Sequence, residues 1–467
     1  MEHIHLIGIG GSGLSAIATI LLERGYRVSG SDRQESPQAR RLQELGARIH
    51  YGHRAENIAG ADWVLRSSAV RDDNVEVLAA QTAGIPVLKR ADFLEQLMAG
   101  QLPLAIAGTH GKTTTTAMLA WVLTSLGVDP SYVIGGIAAN LGQNAHAGRG
   151  QYFVIEADEY DRMFLGLHPH IAVVTNVEHD HPDCYPTPED FYQAFRAFVL
   201  QVRAGGALVA CGEDAGAQRL LVEAHSAGLR AVSYGLGEAA FDYRALNLSP
   251  NADGGLVFDL AYREAPVVRR VSLQVPGEHN VRNALAVLVV VDLLGLSVNQ
   301  AAQALNEFRG AGRRFEVRGE FHGVTLIDDY AHHPTEIRAT LAGARLRYRG
   351  RRVWAVWQPH TYSRTRLLLG QFAASFGDAD RVLVTEVYAA REPAPADGFS
   401  ASQVAAAIAQ TRPDEADKVL FAETLEKAVE QLSQELQPGD VVLVLSAGDA
   451  DRINVELGRR LLALPAE

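Results

Sequence analysis

Leu104 to Trp121 reads LAIAGTHGKTTTTAMLAW: an apolar strand, a glycine turn, then an apolar-periodic helix. The turn has the makings of a phosphate-binding loop. Gly108 and Gly111 let the backbone curl so that successive amides point inward, and Lys112 adds a point charge for the outer phosphates. Thr113 supplies a hydroxyl for Mg²⁺, and the helix that starts there directs its positive end to the same place. A full Walker spacing would carry glycine at 106, where the chain has Ile106, so the motif is the shorter G-T-x-G-K-T-T form. The threonines from Thr113 to Thr116 are poor helix formers, an odd start for a helix that only packs.

Upstream of this loop, strand-like runs alternate with helix-like ones: HIHLIGIG, Leu14 to Arg24, YRVSGSD, Gln38 to Leu45, ARIHYG, WVLRSSAV and IPVLK. That alternation predicts a parallel sheet with crossover helices. Its first turn, Gly8-Ile9-Gly10-Gly11-Ser12-Gly13, is a G-x-G-x-x-G, and Asp32 closes the next strand. The spacing fits a diphosphate on the loop and a ribose hydroxyl on Asp32, so NAD and a UDP-sugar are both candidates.

Downstream, Val133 to Gly136 lead into a Gly- and Asn-rich stretch through Asn140, Asn144 and Gly150, read as a substrate-facing loop. Tyr152 to Ile155 form an apolar strand that delivers Glu156 to its carboxyl end, the way a nucleotide-binding fold positions a Mg²⁺ ligand. The next strand, Ile171 to Thr175, ends in Asn176-Val177-Glu178-His179-Asp180-His181-Pro182-Asp183. Near Glu156 this cluster would make a second Mg²⁺ position; zinc would want a third nitrogen or sulfur ligand, and none is apparent there. GEHNVRN, from Gly277, caps an apolar helix over Ala284 to Leu294. A Gly- and Arg-rich connection, Phe308 to Arg314, introduces the strands VTLIDDY, RVWAVWQP, RVLVTEVY and VVLVLSAGD, again alternating with helices. Two of their ends, Asp328-Asp329-Tyr330-Ala331-His332-His333-Pro334 and Gln358 to Arg366, carry polar clusters beyond the sheet, where ligands of such folds bind.

The fold class is therefore α/β in three domains: Rossmann-like over 1–100, a central P-loop ATPase type over 101–311, and a second Rossmann-like domain over 312–467. A net charge of −12 in 467 residues argues against a nucleic-acid or anionic-membrane surface, so positive charge for an anionic ligand must be local. Lysine is scarce, at Lys89, Lys112, Lys418 and Lys427 only. Cys184 and Cys211 build no disulfide framework, and a cytoplasmic compartment fits. No signal peptide and no membrane-spanning stretch is read from the sequence.

GTHGKTTT, EADE, the N-x-x-x-D-H-x-D at Asn176, GEHNVRN, RRFE and DDYAHHP occur in this order, and together they resemble the Mur ligase family over essentially the whole chain. HIHLIGIGGSGLS and QPHTYSRT are similar to the branch that adds L-alanine to UDP-N-acetylmuramate. The resemblance implies ATP and two Mg²⁺ ions, an acyl phosphate, and attack by the amine of L-alanine. It places ATP on Gly108, Thr109, His110, Gly111, Lys112, Thr113 and Thr114. His279, Asn280 and Asn283 would lie near adenine, with Asp329 and one of Arg313 or Arg314 reaching over from the third domain. Metal would sit on Thr113, Glu156 and His181. The UDP-sugar would meet Gly10, Gly11, Ser12, Gly13, Asp32, Ser67 and Ser68, with His110, Asn140 and Asn176. Tyr330, His332, His360 and Arg364 would form the alanine pocket, and Lys112, Glu156, His181 and His332 would be the catalytic set.

The carbamoylated lysine of later-acting relatives is impossible here, because no lysine lies between Lys112 and Lys418. Thr361 stands where many alanine-adding relatives have arginine, which puts more of the alanine carboxylate on Arg364. The EADEYD run from Glu156 resembles the tripeptide-recycling branch, and QPHTYSRT favours the alanine branch. An NAD-dependent oxidoreductase would leave the phosphate loop, Glu156 and His181 without a task. A nucleotide switch would not need the strand ends around Tyr330 and His360. A monomer or homodimer is expected.

Overall fold

A computed structural model of the chain describes residues 2–262, 269–390 and 392–463. Three sheets follow one another along it. The first is wholly parallel, in the order β3-β2-β1-β4-β5, from β1 (His3–Ile7), β2 (Arg27–Asp32), β3 (Arg48–Tyr51), β4 (Trp63–Arg66) and β5 (Val87–Lys89). All of HIHLI is buried, as a central strand covered on both faces must be.

The second sheet has ten strands, in the order β15-β14-β13-β12-β11-β10-β6-β9-β7-β8. They are β6 (Leu102–Ala107), β7 (Ser131–Ala138), β8 (Gln143–His146), β9 (Tyr152–Glu156), β10 (Ile171–Val174), β11 (Ala207–Cys211), β12 (Arg230–Leu236), β13 (Tyr243–Pro250), β14 (Leu256–Tyr262) and β15 (Arg269–Ser272). Because β6 lies between β9 and β10, all parallel, the phosphate loop, Glu156 and the loop after Val174 emerge side by side. The third sheet, β16-β17-β21-β18-β19-β20, is built from β16 (Glu316–Phe321), β17 (Val324–Asp329), β18 (Val353–Trp357), β19 (Arg381–Thr385), β20 (Val419–Ala422) and β21 (Val441–Leu445). It is parallel apart from its first strand. In VWAVW, Val353, Ala355 and Trp357 enter one core layer and Trp354 and Val356 the other, the period-2 alternation of a doubly covered strand.

The Gly- and Asn-rich stretch differs from its expected loop form. Ser131–Ala138 and Gln143–His146 pair as an antiparallel hairpin, and the linker is stitched to it by Gly312 N–H to Ile137 O (2.8 Å) and Ala139 N–H to Gly310 O (3.0 Å). Polar glycine-rich sequence is still able to pair when a neighbouring chain supplies hydrogen-bond partners. The helix after Gly277 begins at Glu278 and runs to Leu293, so His279, Asn280 and Asn283 lie in its first turns rather than before it.

The contacts between layers differ in kind. One continuous apolar cluster takes Ile4, Leu14 and Ile17 from the first unit with Phe153, Phe164 and Phe195 from the second. The third sheet is enclosed by its own clusters, around Trp357 and Phe376 on one face and Trp354 and Ile453 on the other. It meets the second largely through polar and charged pairs, described below.

Candidate functional site

Three strand ends converge on the phosphate loop. Gly108 sits at φ +141°, and a Cβ there would lie 1.9 Å from the Thr175 hydroxyl, so the turn admits only glycine. That hydroxyl donates to His110 O at 2.5 Å. Asn176 clasps the same residue, its carbonyl accepting from His110 N–H (2.8 Å) and its amide donating to His110 O (3.2 Å). Asn176, expected on the sugar nucleotide, thus braces the loop. Gly111, left-handed at φ +82°, caps helix Lys112–Ser125 without a side-chain acceptor, which leaves a helix start suited to an anion. The Asn283 carboxamide lies against Gly111.

Lys112 is folded back on the loop. Its ammonium donates to Gly108 O (2.5 Å), Thr109 O (3.0 Å) and Glu159 (2.9 Å). Burial alone would lower the lysine and raise the carboxyl. Their mutual attraction prevails, holding Lys112 above its usual range and Glu159, 1% exposed, below its own. His181 Nε2 stands 3.6 Å from Glu159 and 3.8 Å from Asp180. Glu159 is therefore the acid that lies between Lys112 and His181, a role the sequence reading did not assign. The signal was the second glutamate of EADE, on the same turn as Glu156. Glu156 itself accepts from the Thr113 hydroxyl (3.0 Å) and Gly135 N–H (2.7 Å), and burial raises its carboxyl against the pull of Lys112. A threonine hydroxyl and a carboxylate are hard oxygen donors, and they fit Mg²⁺. His179 is spent on Tyr185 O (2.8 Å).

From the third sheet, Arg364 crosses to the second. Its Nε donates to Asp180 at 2.8 Å, both side chains nearly inaccessible, and its Nη1 lies 3.2 Å from His360 Nδ1. The guanidinium holds Asp180 far below the carboxylate range despite burial. Tyr330, His332 and His360 gather beside it, with ring centroids 5.5 Å (Tyr330–His332) and 5.9 Å (His332–His360) apart. The Tyr330 ring lies under Arg313 (5.1 Å) and Arg314 (5.0 Å). Arg313 turns into its own domain, onto Asp328 (3.2 Å) and Ser446 O (2.8 Å), whereas Arg314 stands 3.6 Å from Glu336 on the side of Glu156. Of the two arginines, Arg314 faces the phosphate loop. Asp329 accepts from Phe315 and Ala331 N–H (2.7 and 2.8 Å), and burial pushes it up to about 6.

His332 Nδ1 is 2.9 Å from Tyr330 O, a contact that puts the proton on Nδ1 and leaves Nε2 a lone pair. Burial, reinforced by Arg364, pushes His332 down to about 3 and His360 to about 4. Folded values below the unfolded 6.5 mean stability present above pH 6.5 and lost as pH falls toward 4. Each ring contributes a slope of up to about 1.4 kcal/mol per pH unit in that window. We expect the thermal midpoint to fall from pH 6.5 to 4, and His332→Gln to flatten the fall in calorimetry. An unchanged slope would show that His332 takes no part.

In the first domain, Gly10 N–H donates to Asp32 (2.9 Å), so the aspartate organises its own loop. A Cβ on Gly13 would meet Arg90 Nη1 at 2.0 Å, and Arg90 Nη2 reaches Asp158 at 3.1 Å. Arg90 thus joins the glycine loop to the EADE segment, a link that no local motif announces. A cavity of about 390 Å³ beside the loop is lined by Ser67, Ser68 and Lys89, with Arg66 paired to Asp72 (2.5 Å) and Arg71 to Asp73 (3.2 Å) at its wall. Gly11 and Ser12 complete the turn. Asn140 instead bonds Glu307 O and Arg309 N–H, both at 2.8 Å, at the linker. Asn280 bonds Pro276 O (2.7 Å) and Asn283 (3.2 Å), and His279 is pushed down to about 4 by burial beside them.

A phosphate loop with an acid on the adjacent strand, faced by a polar pocket on a separate α/β domain, defines a nucleotide-dependent ligase. Family models match in sequence: Mur ligase family, catalytic domain, at 3–102; Mur ligase middle domain at 106–291; and Mur ligase, glutamate ligase domain, at 313–448. The chain belongs to the Mur ligase family. It is 44% identical over 462 residues to a UDP-N-acetylmuramate–L-alanine ligase of Pelotomaculum thermopropionicum, covering 98% of each chain. A Geobacter sulfurreducens protein of the same name is 45% identical over 450 residues, 96% of this chain and 95% of that one. Among solved structures, UDP-N-acetylmuramate-alanine ligase from Thermotoga maritima matches with TM-score 0.82 at 29% identity, covering 98% of this chain and 99% of that one. A murein peptide ligase from Psychrobacter arcticus matches with TM-score 0.72 at 26% identity over 100% of both. Among the described residues no helix is long and apolar enough to cross a membrane.

Proposed function

We infer that the chain joins L-alanine to the lactyl carboxylate of UDP-N-acetylmuramate with hydrolysis of ATP, in peptidoglycan precursor synthesis. The observation that carries this reading is the meeting of Arg364, His360 and Tyr330 with the phosphate-loop side of the second sheet through Asp180, joined to the full-length likeness to alanine ligases. The first domain (1–100) would hold the sugar nucleotide against Gly10 to Gly13, Ser67, Ser68 and Arg90. The central domain (101–311) would hold ATP. The third (312–467) would bring the amino acid.

Lys112 and the loop amides orient the outer phosphates of ATP, and Lys112 must leave Glu159 to do so in full. Thr113 and Glu156 would hold one Mg²⁺, and His181 with Glu159 or Glu156 a second; bound there, the ions offset the charge of two anions brought together. A lactyl carboxylate oxygen attacks the γ-phosphorus of ATP, the bond from that phosphorus to the bridging oxygen breaks, and ADP leaves as the acyl phosphate forms. The alanine amine then adds to its carbonyl carbon; the new C–N bond forms, the C–O bond to phosphate breaks, and phosphate departs. His332, neutral with a lone pair on Nε2, is positioned to accept a hydrogen bond from the amine and orient it; held at about 3 it is too weak a base to deprotonate an ammonium, so the amine must arrive neutral. A cytoplasmic location goes with this reading, and with two unpaired cysteines. One chain carries the whole constellation, so a monomer suffices.

The test is phosphate release from Mg²⁺-ATP and UDP-N-acetylmuramate with L-alanine, glycine, L-serine or the L-alanyl-D-glutamyl-diaminopimelate tripeptide as acceptor. Turnover with L-alanine at least about tenfold above glycine or L-serine is expected, the order of discrimination that one methyl or hydroxyl group allows. Turnover with the tripeptide alone would reassign the chain to peptide recycling.

A further inference from the structure

His110, Glu178 and His333 reach one another from three segments: the phosphate loop, the loop after β10, and the residue that caps helix Pro334–Arg347 of the third domain. One donor atom from each lies within 4.8 Å of the other two. His110 Nε2 is 2.9 Å from Glu178 Oε2, His333 Nδ1 is 3.8 Å from the same oxygen, and the two imidazole centroids are 4.7 Å apart.

Two of the three donors are backed by a second group. Glu336 Oε1 stands 3.2 Å from His110 Nδ1, so that ring presents its other nitrogen to Glu178. The Thr335 hydroxyl donates to Glu178 Oε1 at 2.9 Å, leaving Oε2 to the imidazoles. A carboxylate behind one ring nitrogen is how metal proteins fix the tautomer and aim the other nitrogen at the ion. His333 is 1% exposed; its Nδ1, the nitrogen on the Glu178 side, accepts only a long bond from Thr335 N–H (3.4 Å), and its Nε2 has no hydrogen-bond partner, so the ring is held loosely for a buried imidazole.

We propose that His110, Glu178 and His333 form a site for a transition-metal dication of the Zn²⁺ class, separate from the Mg²⁺ position at Thr113 and Glu156. Two imidazoles and one carboxylate are a borderline donor set that favours Zn²⁺ over Mg²⁺, with a fourth place open to water. Tetrahedral bonds near 2.1 Å would put donors about 3.4 Å apart. The present separations of 2.9 and 3.8 Å fall on either side of that value and the third is within 4.8 Å, so the set closes when the two rings draw together and His333 Nδ1 gives up its long bond from Thr335 N–H (3.4 Å). His333 rides on the third domain while His110 and Glu178 belong to the second. The bound ion therefore ties the two together and slows turnover, an effect that rests on the reading in which the third domain opens to exchange substrates.

The experiment is calorimetric titration of the full-length chain with ZnCl₂ in excess MgCl₂, alongside three variants. His333→Asn keeps a good helix cap while removing the imidazole. Glu178→Gln keeps an acceptor for Thr335, and Glu156→Gln removes the Mg²⁺ ligand. One Zn²⁺ per chain is expected, bound at least about 100-fold more weakly by His333→Asn and by Glu178→Gln, since even outer groups behind a metal ligand are worth 10- to 100-fold. Glu156→Gln should bind as the parent does, and a zinc anomalous peak should lie beside His333 in crystals. Equal affinity in the parent and both site variants, or loss only in Glu156→Gln, would overturn the site. Tight binding without slower turnover would overturn the inhibitory consequence alone. Failure of alanine turnover in zinc-free enzyme would count against the ligase reading and not against the site.

Discussion

Lys112→Ala is expected to lower phosphate release by about 10³-fold or more, the scale on which removing one preorganised charge from a transferring phosphoryl group is felt. Affinity for UDP-N-acetylmuramate should stay within about twofold, because the glycine loop that would hold it belongs to a different sheet and distant sites act independently. The same substitution has a second effect. Glu159 is 1% exposed and has Lys112 as its nearest cation, at 2.9 Å, with His181 at 3.6 Å. Taking one partner from a buried pair costs about 3–5 kcal/mol. Lys112→Ala should therefore unfold at lower temperature, and adding Glu159→Gln should restore much of the stability and none of the turnover. Calorimetry beside a phosphate assay separates the two effects. Joint loss of turnover and sugar-nucleotide binding would contradict the division of labour between the first two sheets.

Arg364→Met should raise the KM for L-alanine by about 10²-fold, and to a similar degree loosen the third domain, since truncating one member of a buried charge pair at an interface costs about 2–5 kcal/mol. On the proposed reading Arg364 meets the alanine carboxylate while its Nε stays on Asp180, since it is the arginine of this segment that turns inward beside His360. Position 361 is a threonine that caps the helix at φ +64°, and Arg366 is paired with Asp397 on the surface. Arg364 also reaches Asp180 in the second sheet, so one residue senses both amino acid and closure. The third domain is the one expected to move, because the first shares an apolar core with the second whereas the third is joined to it chiefly by ion pairs and hydrogen bonds, with Leu346 packing on the second core. Small-angle scattering of the ligand-saturated parent should give a smaller radius than the free chain, and Arg364→Met should remain at the free value. An unchanged KM would remove Arg364 from the pocket; an unchanged radius in the parent would remove the closure step.

The sequence by itself determined what depends on near neighbours along the chain. Gly108 and Gly111 mark the phosphate loop because only glycine takes those torsions so close to another strand. A buried strand such as VWAVW announces a parallel sheet through an unbroken apolar run, HIHLI does so less plainly because its two histidines are buried on Ser29, and parallel strands deliver polar residues to one edge. Hence Glu156, Asp329 and Gln358 could be placed at strand ends before any coordinates. The expected loop around Asn140 was met only in part: Asn140 sits in a turn, but Ser131–Ala138 and Gln143–His146 pair across it, and residues 307–312, far along the chain, fix that turn from outside. Only the tertiary structure decided which charges meet. Lys112 faces Glu159, Arg364 faces Asp180, Arg90 lies on Gly13, Arg314 rather than Arg313 turns to the phosphate loop, and His110 is brought to His333. Each of these pairs joins segments that local propensity positions independently, and their energies are set by the low dielectric created when the three sheets pack together.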